Sequence, residues 1–387
     1  MRRRRTLAAL LACASLHALA AAPEAVTPAA DPVAACRLAA QAPRRSVSLG
    51  IPRAPFRLKA TGDVRFAVLF VDFADAPATM TPQKALAVIA PATDFIRTVS
   101  YGNMRLAFTP HYRWLRMSKP STDYGMTRGT TFQAHKAYIE EAVRLAGNDL
   151  DDGDVDALLV LANPAVKAID AGPAFTPTPG AGIQVGGKEI LNAVTSGGDL
   201  LNWGWAWLPH EMGHDLSLPD LYGDGRDGRD PHAYVGEFGI MGLISGRAPE
   251  YFAWERWQLG WLDDAQVACV TGTARQVRLA PVERAGGVKM AIVPTGPASA
   301  VVVESRRAEG YDRDLPRPGV LVYDIDTRRR SQQGPVRILP DGAGDAGRFG
   351  SVLAPGKVLR VGDVSVKFSA RDADGDTVDV THDTADR

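Results

Sequence analysis

The stretch that decides the fold is His210-Glu211-Met212-Gly213-His214. On an α-helix, residues i and i+4 lie one turn apart on the same face, so both imidazoles can reach one metal ion. Two histidines at this spacing are typical of zinc sites, and Glu211 beside them can act as a general base toward a zinc-activated water. The pattern predicts a zinc centre with His210 and His214 as ligands and Glu211 as the catalytic group.

The residues before this motif are unusual for a helix. Pro209 directly precedes the first ligand, and proline is tolerated in the first turn of a helix but not in its interior. We therefore expect the helix to begin near Pro209, with proline at its first position; a longer, kinked helix is the alternative. Trp203, Trp205 and Trp207 alternate with period two, which indicates an extended segment. We interpret this stripe as core rather than as a substrate platform.

A third ligand is expected shortly after the helix, and Asp220, ten residues after His210, is our candidate. In zincins with this spacing, a glycine seven residues after the first histidine ends the helix in the left-handed region, and the chain then returns to the metal. Ser217 occupies that position, where a serine costs roughly 1 kcal/mol or more. Other carboxylates could supply the third ligand instead: Glu237 is the main alternative, and Asp215 and Asp224 are weaker ones.

Several segments, in order along the chain, resemble the immune inhibitor A family of secreted bacterial metallopeptidases. His210–Tyr222 is similar to the family's two zinc histidines followed by a Leu-Pro-Asp-x-Tyr turn, and Gly239–Gly246 to its methionine-bearing turn. Pro249–Trp261 resembles the helix that closes the family's catalytic domain. Weaker matches are Val68–Asp75, Phe95–Gly102, Asp149–Asp156, Glu304–Asp312 and Gly319–Asp324. The resemblance covers roughly residues 60–330.

The resemblance implies an α+β chain with a zincin-type catalytic domain, one catalytic zinc, peptide-bond hydrolysis and a β-rich, sandwich-like C-terminal domain. It also implies that Met241 forms a hydrophobic floor beneath the metal. The chain departs from the family at Ser217, where glycine is usual, and at Phe238, where tryptophan is usual. Independently of the resemblance, Tyr222 and Tyr251 are candidates to donate a hydrogen bond to the oxyanion of a tetrahedral intermediate.

The first residues are typical of an export signal. Four arginines from Arg2 to Arg5 precede an Ala/Leu-rich apolar run, and small residues follow near Ala20. We predict a signal peptide over residues 1–22, with a lipoprotein anchored through Cys13 as the less favoured alternative. The protein is accordingly expected to be secreted or periplasmic.

Hydrophobic patterning divides the remaining chain. Residues 23–60 are rich in Ala, Pro and Arg without a clear period, and we interpret them as a linker or short pro-segment. The apolar run Val64–Val71 is typical of a buried strand and lies near the start of a catalytic domain over residues 61–262. From residue 263 to 387, short alternating runs predict an all-β domain.

An acidic run before the strand at residue 157 is a candidate calcium loop. Carboxylates this close repel one another unless they are solvated or bound to a hard cation, and Ca²⁺ takes six to eight oxygen ligands. Because the spacing departs from that of an EF-hand, a solvated polar turn is the alternative. The candidate ligands are Asp149, Asp151, Asp152, Asp154 and Asp156.

Composition limits the partners. The 387 residues carry a formal net charge of zero, which gives no electrostatic reason to expect nucleic acid or an anionic membrane as a partner. After the leader, no apolar run reaches the roughly 20 residues of a transmembrane helix. Export makes a disulfide between Cys36 and Cys269 chemically possible, although the sequence does not show that they meet.

These observations together predict a monomeric, secreted zinc-dependent endopeptidase that acts on protein or peptide substrates. The first alternative is a catalytically inactive binding or surface protein that keeps the zincin scaffold. The second is a zinc hydrolase that acts on a non-peptide amide or ester.

Overall fold

The computed structural model describes residues 31–40, 47–147, 150, 155–226, 228–340 and 352–383. The predicted signal peptide over residues 1–22, including Cys13, lies outside this part of the chain. Four aspartates of the candidate calcium loop also lie outside it: Asp149, Asp151, Asp152 and Asp154. What the sequence predicts for these residues stays a prediction.

A five-stranded sheet precedes and supports the metal motif. Among the described residues before the motif, the strands are β1 (Gly62–Asp72), β2 (Met104–Arg116), β3 (Ala157–Ala162), β4 (Ala174–Phe175), β5 (Ile183–Val185), β6 (Lys188–Ile190) and β7 (Ala193–Ser196). The sheet has the order β2-β1-β3-β7-β4, and its strands pair in parallel except β4, which lies antiparallel to β7 at one edge. Strands β5 and β6 form a separate hairpin.

Helices cover both faces of this sheet. The described α-helices are α1 (Pro82–Ile89), α2 (Pro91–Val99), α3 (Phe132–Ala146), α4 (Asp199–Trp203), α5 (Trp207–Asp215) and α6 (Ala253–Gln258). Alternate residues of β1 face opposite sides, as in any strand. Phe66 and Val68 lie in a core shared with α2, α5 and α6, whereas Ala67 and Leu69 lie in a second core with α3. Because both faces are covered, the run over residues 64–71 is almost wholly apolar.

The metal motif lies on α5, and the segment before it differs from the prediction. The extended conformation inferred from the alternating tryptophans is wrong, because α4 runs to Trp203 and a turn of 3₁₀ helix, Gly204–Ala206, leads directly into α5. Pro209 is the third residue of α5 rather than the first. Its missing N–H has no cost there, since N–H groups of the first turn lack intrahelical partners. Trp207 is buried in the core, and the partly buried Trp203 and Trp205 pack against that core.

Two antiparallel-rich sheets follow α6. Their described strands are β8 (Val267–Cys269), β9 (Ala274–Leu279), β10 (Met290–Gly296), β11 (Ser299–Arg306), β12 (Gly319–Asp326), β13 (Val336–Ile338), β14 (Val352–Leu353), β15 (Val358–Val361), β16 (Val364–Arg371) and β17 (Asp376–His382). One sheet has the order β13-β12-β11-β10-β8 with β14 also paired to β12, and the other has the order β15-β16-β17-β9.

Each face of the first of these sheets is buried against a different layer. Val301 and Val303 of β11 share a core with Val366 and Val378 of the second sheet. Val302, between them in sequence, lies instead in the core that contains α5 and α6. The described chain is thus a mixed α/β structure compatible with the predicted α+β class, and the predicted zincin-type catalytic domain stays a prediction.

The described part of residues 23–60 packs against the rest of the molecule. A disulfide joins Cys36 to Cys269 at the end of β8, and the indole N–H groups of Trp254 and Trp261 donate to the carbonyls of Leu49 and Ala60. The chain from residue 33 onward forms one compact unit. The predicted pro-segment role for residues 23–60 and the predicted boundary at residue 262 stay predictions. No helix among the described residues is long and apolar enough to cross a membrane.

Candidate metal centre

The end of α5 turns the chain back toward the two histidines. The N–H of Leu218 donates to the carbonyl of Gly213 at 2.8 Å, and the N–H of Ser217 donates to the carbonyl of His214 at 3.0 Å. This pair of bonds is a Schellman motif, which requires a left-handed residue directly after the helix. Ser217 is that residue, with φ of 85°. The serine thus adopts the conformation for which the zincin pattern uses glycine.

The turn brings three ligand-type side chains together. The Nε2 atoms of His210 and His214 lie 3.5 and 3.3 Å from Oδ1 of Asp220. The three atoms are all within 4.8 Å of one another, so that one metal ion could bind all three. Within the described part of the chain, this is the one group of histidine, cysteine or carboxylate side chains with such geometry.

The outward ring nitrogens fix both imidazoles in a ligating orientation. Nδ1 of His210 lies 2.8 Å from the carbonyl oxygen of Ile240, and Nδ1 of His214 lies 2.8 Å from that of Leu218. A carbonyl oxygen can only accept, so each Nδ1 carries the proton and donates. In the neutral rings Nε2 is then left with its lone pair toward Asp220, which is the tautomer a metal needs.

The carboxylate of Asp220 also fits a cation. Its Oδ2 accepts hydrogen bonds from the side chains of Ser331 and Gln332, whereas its Oδ1 is buried and has no hydrogen-bond partner. A buried oxygen without a partner is costly unless an ion completes it. The unpartnered Oδ1 and the two imidazole lone pairs converge on one point, and together they form a donor set suited to a divalent metal.

Electrostatics within the group point the same way. Burial alone would raise the pKa of Asp220, but the imidazoles of His214 and His210 hold it well below its usual range. Burial alone would lower the pKa of His214, yet the Asp220 carboxylate beside it raises that pKa to about 10. The Asp220 carboxylate thus favours positive charge beside it, which a bound divalent cation would supply.

Glu211 lies on the open side of the same helix. Its Oε2 accepts a hydrogen bond from the N–H of Ala174 in the edge strand β4, at 2.9 Å. The residue lines a pocket of about 900 Å³ together with His210, His214 and Asp220. The Glu211 carboxylate therefore lies in the same pocket as the three candidate ligands.

Met241 packs directly beneath the motif. It is fully buried, and a Cβ added to Gly213 would lie 2.4 Å from its Sδ. The carbonyl of the preceding Ile240 accepts a hydrogen bond from Nδ1 of His210, and the carbonyl of Met241 accepts one from the N–H of Leu221. The methionine turn thus contacts both the helix and the segment that carries the third ligand.

The other predicted carboxylates do not join the group. Glu237 forms an ion pair with Arg247 at 2.9 Å, which favours Asp220 over it as third ligand. Asp215 is fully buried, and burial raises its pKa well above the usual range. Asp224 lines the pocket but accepts from the N–H of Arg226.

The two candidate oxyanion donors lie in different surroundings. Tyr222 lines the pocket, stacks on His210 with ring centroids 6.3 Å apart, and its hydroxyl accepts from Gln332. Tyr251 is fully buried and its hydroxyl donates to the carbonyl of Pro209 at 2.8 Å. A donated proton inside the core is not available to a substrate, so Tyr251 holds the first turn of α5 in place and Tyr222 is the better candidate.

The described aspartate of the acidic run is paired within the protein. Oδ2 of Asp156 accepts from the N–H of Arg65 and lies 2.8 Å from Nζ of Lys59. These partners supply the positive charge that a cation would otherwise provide at this one carboxylate.

Three pocket residues carry no recognisable signal in the sequence. Ser331 and Gln332 lie 111 and 112 residues after Asp220, on a polar turn that local patterns describe only as a loop. Asp199 at the start of α4 also lines the pocket, and it accepts from the N–H groups of Gly172 and Gly197, both at 2.7 Å. Burial raises the pKa of Asp199 to about 6.

Comparison with known proteins adds no family assignment. No family model matches the chain, and no curated protein matches it. The resemblance to the immune inhibitor A family therefore rests on the residues of this chain and their order.

Proposed function

We propose that the protein is an exported zinc-dependent endopeptidase. The observation that carries the proposal is the buried, unpartnered Oδ1 of Asp220, which faces the Nε2 atoms of His210 and His214 at 3.5 and 3.3 Å. Two imidazole nitrogens and one carboxylate oxygen are a ligand set that catalytic zinc uses, with the fourth position left for water or substrate.

The roles of the chain's own residues follow from their positions. Bound zinc would polarise the scissile carbonyl and make a water molecule acidic enough to attack near neutral pH. Glu211 accepts the proton of the attacking water while the new C–O bond forms. It then delivers that proton to the amine nitrogen as the C–N bond breaks. The Tyr222 hydroxyl would donate to the carbonyl oxygen as negative charge develops there, and its position in the pocket lining supports this role.

A peptide suits the surroundings of this site better than a compact small molecule. Strand β4 lies at the edge of its sheet, and residues 170–174 line the pocket. A strand edge beside the pocket can pair with an extended peptide through main-chain hydrogen bonds other than that of the Ala174 N–H. The N–H of Ala174 donates to the Glu211 carboxylate, so the edge strand β4 also orients the proposed general base.

Two further observations support export and activity. The disulfide between Cys36 and Cys269 is expected in an oxidising compartment. Ser217, which stands where the zincin pattern has glycine, adopts φ of 85° and still allows the return turn. The departure at this position therefore gives no structural reason to prefer the catalytically inactive alternative.

The test is zinc content and proteolysis of the purified mature protein. We expect one zinc per chain by elemental analysis, cleavage of casein, and loss of cleavage with a chelator. Glu211→Ala should keep the zinc and lower kcat by about 10²–10⁴-fold, since it removes only the general base. Glu140→Ala, at an exposed position of α3, is the matched control and should leave kcat unchanged.

Two outcomes would contradict the proposal. If the wild-type protein contains no zinc, the assignment of His210, His214 and Asp220 as a zinc site is wrong. A zinc-loaded protein that cleaves ester or amide substrates but no peptide in a diverse library would remove the peptidase assignment.

A further inference from the structure

We propose that the turn between β12 and β13, residues 330–334, is a structural part of the metal centre, with Ser331 and Gln332 as positioning residues for Asp220. The inference rests on the proposed function, since it assumes that Asp220 ligates the metal. It adds that the orientation of this ligand is set by the β-rich C-terminal part of the chain.

Ser331 holds Asp220 from two directions. The N–H of Asp220 donates to Oγ of Ser331 at 2.9 Å, and the same hydroxyl donates to Oδ2 of Asp220 at 2.7 Å. One side chain thereby fixes both the backbone and the carboxylate plane of the ligand. Because Oδ2 is occupied, Oδ1 is left to face the two histidines.

Gln332 adds a second set of contacts. Its N–H donates to the carbonyl of Asp220 at 3.2 Å, and its side-chain Nε2 lies 3.4 Å from Oδ2 of Asp220 and 3.3 Å from the hydroxyl of Tyr222. The amide therefore links the third ligand to the candidate oxyanion donor. Both Ser331 and Gln332 line the pocket.

The backbone at Gln332 supports a specific role for this turn. Its φ is 65°, a left-handed conformation that a glutamine adopts only when its surroundings impose it. A glycine at this position would form the same turn without strain. The turn instead keeps a residue whose amide reaches both Asp220 and Tyr222.

The turn is itself held rigidly, as a positioning device requires. Nη1 of Arg329 donates to the carbonyl of Gly334 at 3.1 Å and pairs with Asp324 of β12 at 3.0 Å. Gly334 lies so close to Tyr234 that an added Cβ would be 2.9 Å from the ring. The residues that orient the Asp220 carboxylate are thus themselves held by contacts with a packed sheet.

Partners of a metal ligand change metal affinity by about 10–100-fold when they are removed. We therefore expect Ser331→Ala to bind zinc about 10–100-fold more weakly, measured by competition with a chromophoric chelator at fixed pH. The cobalt-substituted variant should show an altered visible absorption spectrum, since the carboxylate is freed to rotate. Ser331→Thr keeps a hydroxyl and should restore both values toward those of the wild type.

Two further variants separate positioning from general stability. Gln332→Gly removes the amide but relieves the left-handed strain, so it should weaken zinc binding without lowering the thermal midpoint. Gln133→Ala is the matched control, because Gln133 is an exposed glutamine on α3, outside both this turn and the pocket lining. Its zinc affinity should equal that of the wild type.

The outcomes distinguish this inference from the proposed function. If the wild type binds zinc and both Ser331→Ala and Gln332→Gly bind it within twofold of the wild type, the positioning role is overturned and the metal centre stands. Equal losses in Gln133→Ala and Ser331→Ala would also overturn it. A wild type that binds no zinc would overturn both.

Discussion

At the scale of single residues, α5 and the turn that follows it have two positions where the chain leaves little freedom. Gly213 has Met241 against it, so a side chain there has no space. Ser217 has φ of 85°, and its hydroxyl is buried without a hydrogen-bond partner. Both constraints lie next to the candidate metal site, because Gly213 packs against Met241 beneath the histidines and Ser217 turns the chain back toward Asp220.

Replacing Ser217 by glycine should stabilise the protein. Glycine adopts the left-handed region without a Cβ clash, and the change also removes an unsatisfied buried hydroxyl, so we expect a gain of about 1 kcal/mol in the free energy of unfolding. Urea denaturation measures it. Ser217→Ala removes the hydroxyl but keeps the strain, and should gain less. A Ser217→Gly variant less stable than the wild type would contradict this account.

Replacing Gly213 by alanine should have the opposite effect. The new methyl group would overlap Sδ of Met241, and such overpacking costs about 1–3 kcal/mol. Gly272→Ala is a suitable control, because a Cβ at Gly272 meets nothing within 4 Å. Chemical denaturation of the two variants gives the comparison. Equal stabilities would show that Met241 moves aside without cost.

At the scale of elements, α6 and β11 are joined through a fully buried set of charges. Arg306 of β11 pairs with Glu304 and with Asp312, both at 2.6 Å, and Arg256 of α6 pairs with Glu250 at 2.6 Å. Removing one partner of a buried pair leaves the other charge uncompensated, so single substitutions in such a set strongly lower the stability of the fold. These contacts hold the segment whose Tyr251 contacts Pro209, and so they connect the C-terminal sheets to the start of α5.

Glu255 at the start of α6 should make stability depend on pH. Burial raises its pKa to about 8, although the N–H of Phe252 and the charge of Arg306 oppose the rise. A folded-state pKa above the unfolded value means that its contribution is fully present below about pH 4.5 and is lost as the pH rises through about 8.

Glu255→Gln removes this titration and is the direct test. The wild type should lose unfolding free energy relative to the variant between pH 5 and pH 8, as measured by urea denaturation across that range. Glu140→Gln on the exposed face of α3 should not alter the profile. Parallel curves for the wild type and Glu255→Gln would show that Glu255 is ionised in the folded protein throughout.

At the scale of the whole molecule, α5 is contacted from both directions of the chain. The N–H of Ser48 donates to the carbonyl of Ser217 at 2.8 Å, and the N–H of Leu58 donates to that of Asp215 at 3.0 Å. Ser331 contacts Asp220 from the C-terminal side. The metal site is therefore assembled from segments that are far apart in the sequence.

The disulfide should contribute to the stability of this whole assembly. It joins residues 233 positions apart, and cross-links that close long loops typically stabilise by about 2–5 kcal/mol. A mature protein with both Cys36→Ala and Cys269→Ala should lose about that much free energy of unfolding in denaturation experiments. Its stability should no longer respond to a reducing agent, whereas that of the wild type should fall on reduction.

The sequence by itself determined what depends on local geometry. The spacing of His210 and His214 places them on one helical face, because the period of an α-helix is fixed by its backbone. The ten-residue step to Asp220 made it the candidate third ligand with Glu237 as the alternative, and only the structure shows Asp220 beside both histidines. Apolar runs likewise indicated a buried strand at β1 and a β-rich C-terminal part.

Tertiary structure decided whatever depends on contacts between distant segments. The pairing of Cys36 with Cys269, of Glu237 with Arg247, and of Ser331 with Asp220 leaves no trace in local composition or period. The same holds for the alternating tryptophans. Their period of two predicts an extended segment, but packing against distant parts of the chain places them in helical turns. Residue spacing thus identified candidate metal ligands, but only the packed sheets and turns around them set the direction in which each side chain points.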